Sequence, residues 1–313
     1  MRGAFLPNEQ VFRLMWFRNL QIFRLTAGWD FSSDQLTEKL QRGVFQGCGA
    51  TDKSARGWVA PRGEIGELVF SVSQQQLIAL GTEQKLLPSS IVNQYAQEKI
   101  AAIESAQGYK PGRKQSREIR DALELELLPR AFVKRALTYV WIDQVNRWMV
   151  VDAAASARAD AVIEQLKLSL GSLPLTLLKT QLAPGTALTQ WLAAGTAFGN
   201  FTIDRDCELQ AVAEERAAVR YVRHNLDSSD VRAHISAGKT ATRLALTWNG
   251  RISFVLTEQL QIKRLAFRDL MKEDAERQSD NADDLFAADF ALMSGELGHL
   301  LKHLTEALGG EAE

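Results

Sequence analysis

The sequence predicts an α+β fold: a mixed or antiparallel sheet body, an inserted helical finger and a C-terminal α+β base module. Three observations carry this. Short runs rich in aromatic and β-branched residues recur along most of the chain. Between Pro88 and Pro129 the apolar spacing changes to that of helices. Beyond residue 186, helix and strand patterns return around an Asn-Gly turn. A chain of 313 residues is too long for one small core and suits two or three modules.

Residues 16–25, WFRNLQIFRL, mix aromatic and β-branched side chains with polar ones and predict a strand. Ser32 and Gln35 have capping-box spacing, so a short helix through Leu36 and Leu40 should follow. GWVAP at 57–61, ELVFSVS at 67–73 and QLIALG at 76–81 read as strands. After Pro88, Val92, Ala96, Ile100 and Ile103 recur at helical spacing, with Ser89 or Ser90 to cap them. Tyr109-Lys110-Pro111-Gly112 breaks that helix; Ile119, Leu123 and Leu127 mark the stripe of a second, which Pro129 ends. Residues 89–130 therefore form a hairpin that either packs on the sheet or projects from it as a finger.

Sheet resumes with 131–143 and 147–152, turning near Val145-Asn146. An alanine-rich helix runs from Ser156 to about Leu170, and Gly171 stops it. The proline and glycine of LPLTLLKTQLAPGT make 173–186 the best linker candidate. A helix around 186–194, a strand near Arg216–His224 and a short helix at 228–237 follow. ATRLALTW, RISFVLT and QIKRLAF then form a meander, with turns at Asn249-Gly250 and Glu258-Gln259. Helices after Asp269 finish the chain. The expected division is a sheet domain at 15–88 and 131–179, the finger at 89–130 and a base domain at 180–313.

Hydrophobic residues at 46% and charged residues at 24% argue against wholesale disorder. No apolar run approaches the roughly 20 residues that cross a bilayer. Cys48 and Cys207 are too few for a disulfide framework or a zinc cage, and MRGAFLPNEQVFRL lacks the apolar core of a secretory signal, so a reducing cytoplasm is expected. Charge is balanced overall, 37 Lys+Arg against 38 Asp+Glu, but not along the chain. From Met271 onward there are eleven acids and three bases, which leaves 34 bases and 27 acids before it. An acidic end on a basic body hints at a polyanion partner. Ordinary variation of surface charge accounts for it equally well.

Ala233-His234-Ile235-Ser236-Ala237-Gly238-Lys239-Thr240 resembles a phosphate loop but lacks the first glycine, and a helix precedes it where a strand should. His299 and His303 are four apart without the glutamate of a zinc-protease helix. His224 and His234 have no nucleophile nearby, and the glycines around Cys48 and acids beside Cys207 give neither thiol an activating setting. The C-terminal carboxylates read as a solvated face. No catalytic constellation, metal site or cofactor pattern emerges. The basic hairpin stands out more: Lys110, Arg113, Lys114, Arg117 and Arg120 fall within eleven residues holding one acid, Glu118. Arg113, Arg117 and Arg120 share a helix face at i, i+4 and i+7. Such a face suits phosphate contact, although a plain solvated surface has the same composition. Lys134-Arg135, Arg220-Arg223, Lys239-Arg243 and Lys263-Arg264 are further basic points among strands.

Several stretches together resemble the bacterial recombination-associated RdgC family: MWFRNLQIFRL (15–25), LLPSSIVNQ (86–94), LLPRAF (127–132), VDAAASARADAV (151–162), SLGSLPL (169–175), ISAGKTATRLALTW (235–248) and the ending GELGHLLKHLTEALGGE. They lie in family order from Met15 to the C-terminus, and none is a catalytic signature. The resemblance implies a non-enzymatic, cofactor-free homodimer, a ring whose basic hole encircles double-stranded DNA without sequence preference. It implies restraint of RecA-dependent recombination and a cytoplasmic, nucleoid-associated role in replication. The hairpin corresponds to the family's ring-closing finger, and Phe132 to a phenylalanine at the closing dimer contact. The DNA-binding residues expected are Lys110, Arg113, Lys114, Arg117, Arg120, Lys134, Arg135, Lys239, Arg243, Lys263 and Arg264. Pro111-Gly112 departs from the pattern, interrupting what should be a continuous lysine-rich helix. Because the family begins at Met15, 1–14 is expected to be a non-native or misassigned leader. Two competing readings are a scaffold that blocks RecA directly through acidic C-terminal helices, and an ATP-dependent enzyme using Lys239.

Overall fold

In chain order the elements are β1 (Leu20–Leu25), α1 (Ser33–Leu40), β2 (Ser54–Val59), β3 (Phe70–Val72), β4 (Gln75–Leu86), α2 (Ser89–Gln107) and α3 (Arg113–Leu127). Next come β5 (Phe132–Asp143), β6 (Trp148–Asp152), α4 (Ser156–Leu170), β7 (Leu175–Leu177), α5 (Pro184–Ala194), β8 (Phe201–Ala211) and β9 (Ala218–Tyr221). Then follow α6 (Ser229–Ser236), β10 (Lys239–Trp248), β11 (Ile252–Thr257), β12 (Ile262–Phe267) and α7 (Ala282–Ala307). This computed structural model describes residues 16–63, 66–212, 215–268 and 282–312. The expected leader at 1–14 and the acid-rich stretch at 269–281 lie outside them. The fold is α+β with a large antiparallel sheet and, among the described residues, seven α-helices.

Two compact units share the chain: residues 16–42, 60–79 and 138–312 form one, Gly43–Val59 and Leu80–Leu137 the other. In the first, the strand order is β4-β5-β6-β1-β12-β11-β10-β8-β9, with β3 also on β4 and β7 on β1. Asp143 shapes the β5–β6 turn by accepting from the backbone N–H groups of Val145 and Asn146 at 3.0 and 2.9 Å. Asn249 and Gly250 both have positive φ (49° and 66°), as a tight hairpin between β10 and β11 requires. On α7, Phe286, Phe290, Met293, Leu297, Leu300 and Leu304 form a buried stripe, and Phe286 and Phe290 meet Phe70 edge-on at 5.0 and 5.7 Å. Each such side chain contributes about 1.5–3 kcal/mol by leaving water.

Four sequence expectations are corrected here. β8 was not foreseen. The linker at 173–186 is held in place: β7 pairs Leu175–Leu177 with Leu25–Phe23, and Gln181 N donates to Gly310 O at 3.0 Å. Its backbone groups complete a sheet that β12 leaves after Leu20. Pro88, not a serine, is the N-cap of α2, and no side chain caps it. Finally, only some of the described C-terminal acids lie on a solvated face, Asp284, Glu306 and Glu311 being exposed. Asp289 is buried, Glu296 pairs with Arg251 at 3.1 Å, and Glu311 with Arg24 at 2.8 Å.

In the second unit, β2, β4 and β5 lie side by side and the α2–α3 hairpin closes on its own small core of Val92, Ala96 and Leu123, flanked by Leu87, Ile119 and Leu127. Gly108, at φ 80°, ends α2 in the left-handed region. Gly57 on β2 is demanded by space instead. A Cβ there would stand 2.5 Å from Phe45 Cα and 2.8 Å from Gly43 O, and backbone cannot yield as a side chain can. Gly57→Ala should destabilise this unit by about 3 kcal/mol in a denaturant titration. Gly112→Ala, whose Cβ would meet nothing within 4 Å, should leave the midpoint within experimental scatter. Equal midpoints for the two variants would refute the close-approach argument.

Candidate nucleic-acid interface

The hairpin cations come from two local features. Gly108 to Gly112 end one helix and start the next, which places Lys110 in the turn and Arg113, Lys114, Arg117 and Arg120 on the first two turns of α3. The apolar stripe of α3 faces α2, so these cations face solvent, and all five are exposed. None forms an ion pair with a described residue; Glu124, farther along α3, pairs with Lys53. Pro111-Gly112 therefore starts α3 without removing its basic face. Ser116 Oγ donates to Pro111 O at 3.3 Å and steadies that start.

Phe132 opens β5 beyond the far end of α3. The 15 residues of α3 set it about 22 Å from the basic turn, so the two lie at opposite ends of the hairpin. Its side chain is 84% exposed, the highest figure among the large exposed hydrophobic residues described. Lys134 nearby is exposed and unpaired among the described residues. Arg135 is committed locally: its Nε lies 3.4 Å from the carboxylate of Glu83, which is only 6% exposed. An uncompensated buried carboxylate is costly, so Arg135 serves the fold first.

In the first unit, β8 to β12 gather a second group that the sequence showed only as scattered pairs. Arg220 and Arg243 lie directly opposite Glu208 from the two neighbouring strands. With Lys263, Arg264, Asn19, Asp206 and Tyr221 they line a pocket of about 220 Å³. Arg264 reaches Asp206 at 3.1 Å and Arg243 reaches Glu208 at 3.7 Å. The backbone N–H of Arg223, donating at 2.9 Å, and the Arg264 guanidinium hold the Asp206 carboxyl below its usual range. Lys239 is not among them; its Nζ is 3.3 Å from His234 Nδ1. Sequence reasoning missed Asp206 and Glu208. Their i, i+2 spacing in an alternating stretch was the available signal.

Several of the other side chains singled out in the sequence are taken up by packing and local contacts. Residues 233–240 end α6 and begin β10, the reverse of a phosphate loop. His303 Nδ1 accepts from Trp248 Nε1 at 3.1 Å. Burial raises the Cys48 thiol and lifts that of Cys207 to about 11, with the Glu83 and Asp206 carboxylates adding to the respective shifts. A cleft of about 740 Å³ beside α7 includes Arg24, Trp148, Gly295, Gly298 and His299, and Arg24 in it is taken up by Glu311 and the Trp148 ring. Among the described residues, no three His, Cys, Asp or Glu side chains stand where they could hold a metal, and no helix is long and apolar enough to cross a membrane.

Residues 15–311 match a protein family described as "RdgC: Putative exonuclease, RdgC". The chain is also similar to three proteins called recombination-associated protein RdgC. That of Dechloromonas aromatica is 53% identical, over 95% of this chain and 98% of its own length. Those of Janthinobacterium sp. and Bordetella parapertussis are 52% and 50% identical, over 96% and 95% of this chain and 99% of their own lengths.

Proposed function

The chain belongs to the RdgC family, and from that membership we propose a recombination-related role: it binds double-stranded DNA without sequence preference, as a ring-shaped homodimer. On this reading it restrains RecA-dependent recombination and acts at the nucleoid in replication and DNA maintenance. The body at 15–88 and 131–179, the finger at 89–130 and the base at 180–313 are the ring's parts. The observation that carries the reading is the exposed cation face of Lys110, Arg113, Lys114, Arg117 and Arg120, which no described carboxylate neutralises. Arg and Lys held in water at pair-free positions are ready to meet phosphates, and displacement of condensed counterions then drives binding. A helix face of this kind reads backbone charge and not base edges. Lys134 and Lys263 add to the phosphate-facing surface, as do Arg243 and Arg264 where phosphate displaces Glu208 and Asp206, whereas Arg135 and Lys239 have weaker roles beside Glu83 and His234.

Replacing Arg113, Arg117 and Arg120 together by alanine should flatten the plot of log affinity against log salt, by about 2.7 for each subunit engaged. The loss should be equal on two duplexes of unrelated sequence. An unchanged slope on both removes the hairpin from the interface, and a strong preference for one duplex overturns the non-specific reading.

Phe132 supports self-association because it is a large aromatic left in water, the type of residue that anchors interfaces. Since it packs in no core, Phe132→Ser should leave the melting temperature unchanged while lowering retention on closed circular DNA under salt challenge. Wild-type retention by that variant would rule out the closing contact. Loss of folding would instead return Phe132 to a structural role.

The family description raises hydrolysis as a second reading. Two-metal phosphodiester cleavage needs a convergent carboxylate set. Among the described residues no three His, Cys, Asp or Glu side chains stand where they could hold a metal. Purified protein with magnesium or manganese should release no nucleotide from linear duplex; release that tracks the protein through purification would overturn this part of the proposal.

A further inference from the structure

We propose that Asp206 and Glu208 are built-in competitors for the phosphate-binding cations of the β8–β12 surface, and set how tightly that surface grips a nucleic-acid backbone. This rests on the DNA reading above and adds to it two residues of opposite charge. The two carboxylates lie two apart on β8, hence on one face of the sheet. Glu208 stands between Arg220 and Arg243, each directly opposite it, where unlike charges attract across strands. Asp206 holds Arg264. Four cations thus surround two anions, and Arg243 and Arg264 are each already paired.

The ion pairs with the two arginines add little to stability. The Arg264 and Arg243 side chains are 59% and 48% exposed, and exposed ion pairs contribute little to folding. Buried Asp143, by contrast, shapes a turn, and Glu83 is sealed against Arg135. On β8 the carboxylates occupy the places that phosphate oxygens would take beside the same guanidiniums. A DNA backbone must displace them, and a cation already neutralised has fewer condensed counterions to release from DNA in exchange. The surface therefore acts as two available cations, Arg220 and Lys263, in place of four.

The test is a salt titration of the full-length protein on a mixed-sequence duplex, comparing wild type with Asp206→Asn/Glu208→Gln. The amides keep acceptors for Arg223 N and Thr242 Oγ1, so the fold should persist, and a thermal melt checks this. Asp34→Asn/Glu38→Gln makes the same change in net charge at two exposed positions of α1 and serves as control. The β8 variant should bind about tenfold tighter and steepen the slope by about 1.8 per subunit, each single variant giving about half the steepening. The control should leave the slope unchanged. Equal behaviour of the β8 variant and the control would overturn the competitor role. Absence of binding by wild type together with binding by the β8 variant would instead overturn the DNA reading of the wild type and leave the competition standing. Absence in every form would sink both.

Discussion

The first unit depends on the two-sided pairing of β1. One edge of this strand is taken by β6, in unbroken register from Leu20↔Asp152 to Arg24↔Trp148. The other edge is divided, with β12 meeting Leu20 and β7 meeting Phe23 to Leu25. A six-residue strand thereby joins the β5–β6 hairpin to the C-terminal meander. Leu20, Ile22, Phe23 and Leu25 are all buried, two on each face, so both faces of the strand are packed while both its edges are paired. The segment at 173–186 is ordered for the same reason. Its backbone groups find partners on β1 and near Gly310, and its proline and glycine shape the path without loosening it.

The second constraint is where opposite charges are allowed to meet. This chain is close to neutral, so net charge gives no basis for the proposed affinity for a polyanion. Local pairing can. Arg135, Arg251 and Arg24 are engaged with Glu83, Glu296 and Glu311, and those pairs tie elements together. On α3 the first two turns carry four cations and Glu118, their packing face is apolar, and none of the four forms an ion pair with a described residue. The β8–β12 surface lies between these cases, with cations that are exposed but partly matched. Neutrality of the whole is thus compatible with two surfaces of unequal readiness for phosphate.

Much of the architecture was legible because local signals and tertiary packing agree. The capping box at Ser32 and Gln35 forms as spaced, the Asn249-Gly250 turn has both positive φ angles, and the stripe Ile119, Leu123, Leu127 closes on Val92 and Ala96. β8 was missed for a definite reason. Phe201, Ile203, Cys207 and Leu209 alternate with Thr202, Asp204, Asp206, Glu208 and Gln210, but Arg205 interrupts the apolar face and the charge density reads as a loop. Missing that strand also hid the candidate site. Glu208 joins Arg220 to Arg243 only once β9, β8 and β10 are placed side by side, a relation between residues up to 35 positions apart. The hairpin cations are local in sequence and needed no such pairing. Two C-terminal acids misled for the converse reason: Asp289 and Glu296 lie on a helix whose apolar stripe draws it into the core.

These two surfaces suit a protein proposed to hold DNA by enclosure. A ring that surrounds a duplex gains retention from topology, so its backbone contacts need not be individually tight. Strong contacts everywhere would fix the ring at one position, because each neutralised phosphate steepens the affinity and slows every step along the backbone. An unpaired cation face such as that of α3 favours encounter, since unmatched charge acts over about 8–10 Å at physiological salt. A face where carboxylates already occupy the guanidiniums favours exchange, because each phosphate gained costs an existing ion pair of similar strength. Encounter and mobility make different electrostatic demands. On the proposed reading, placing them on separate elements lets one nearly neutral chain meet both.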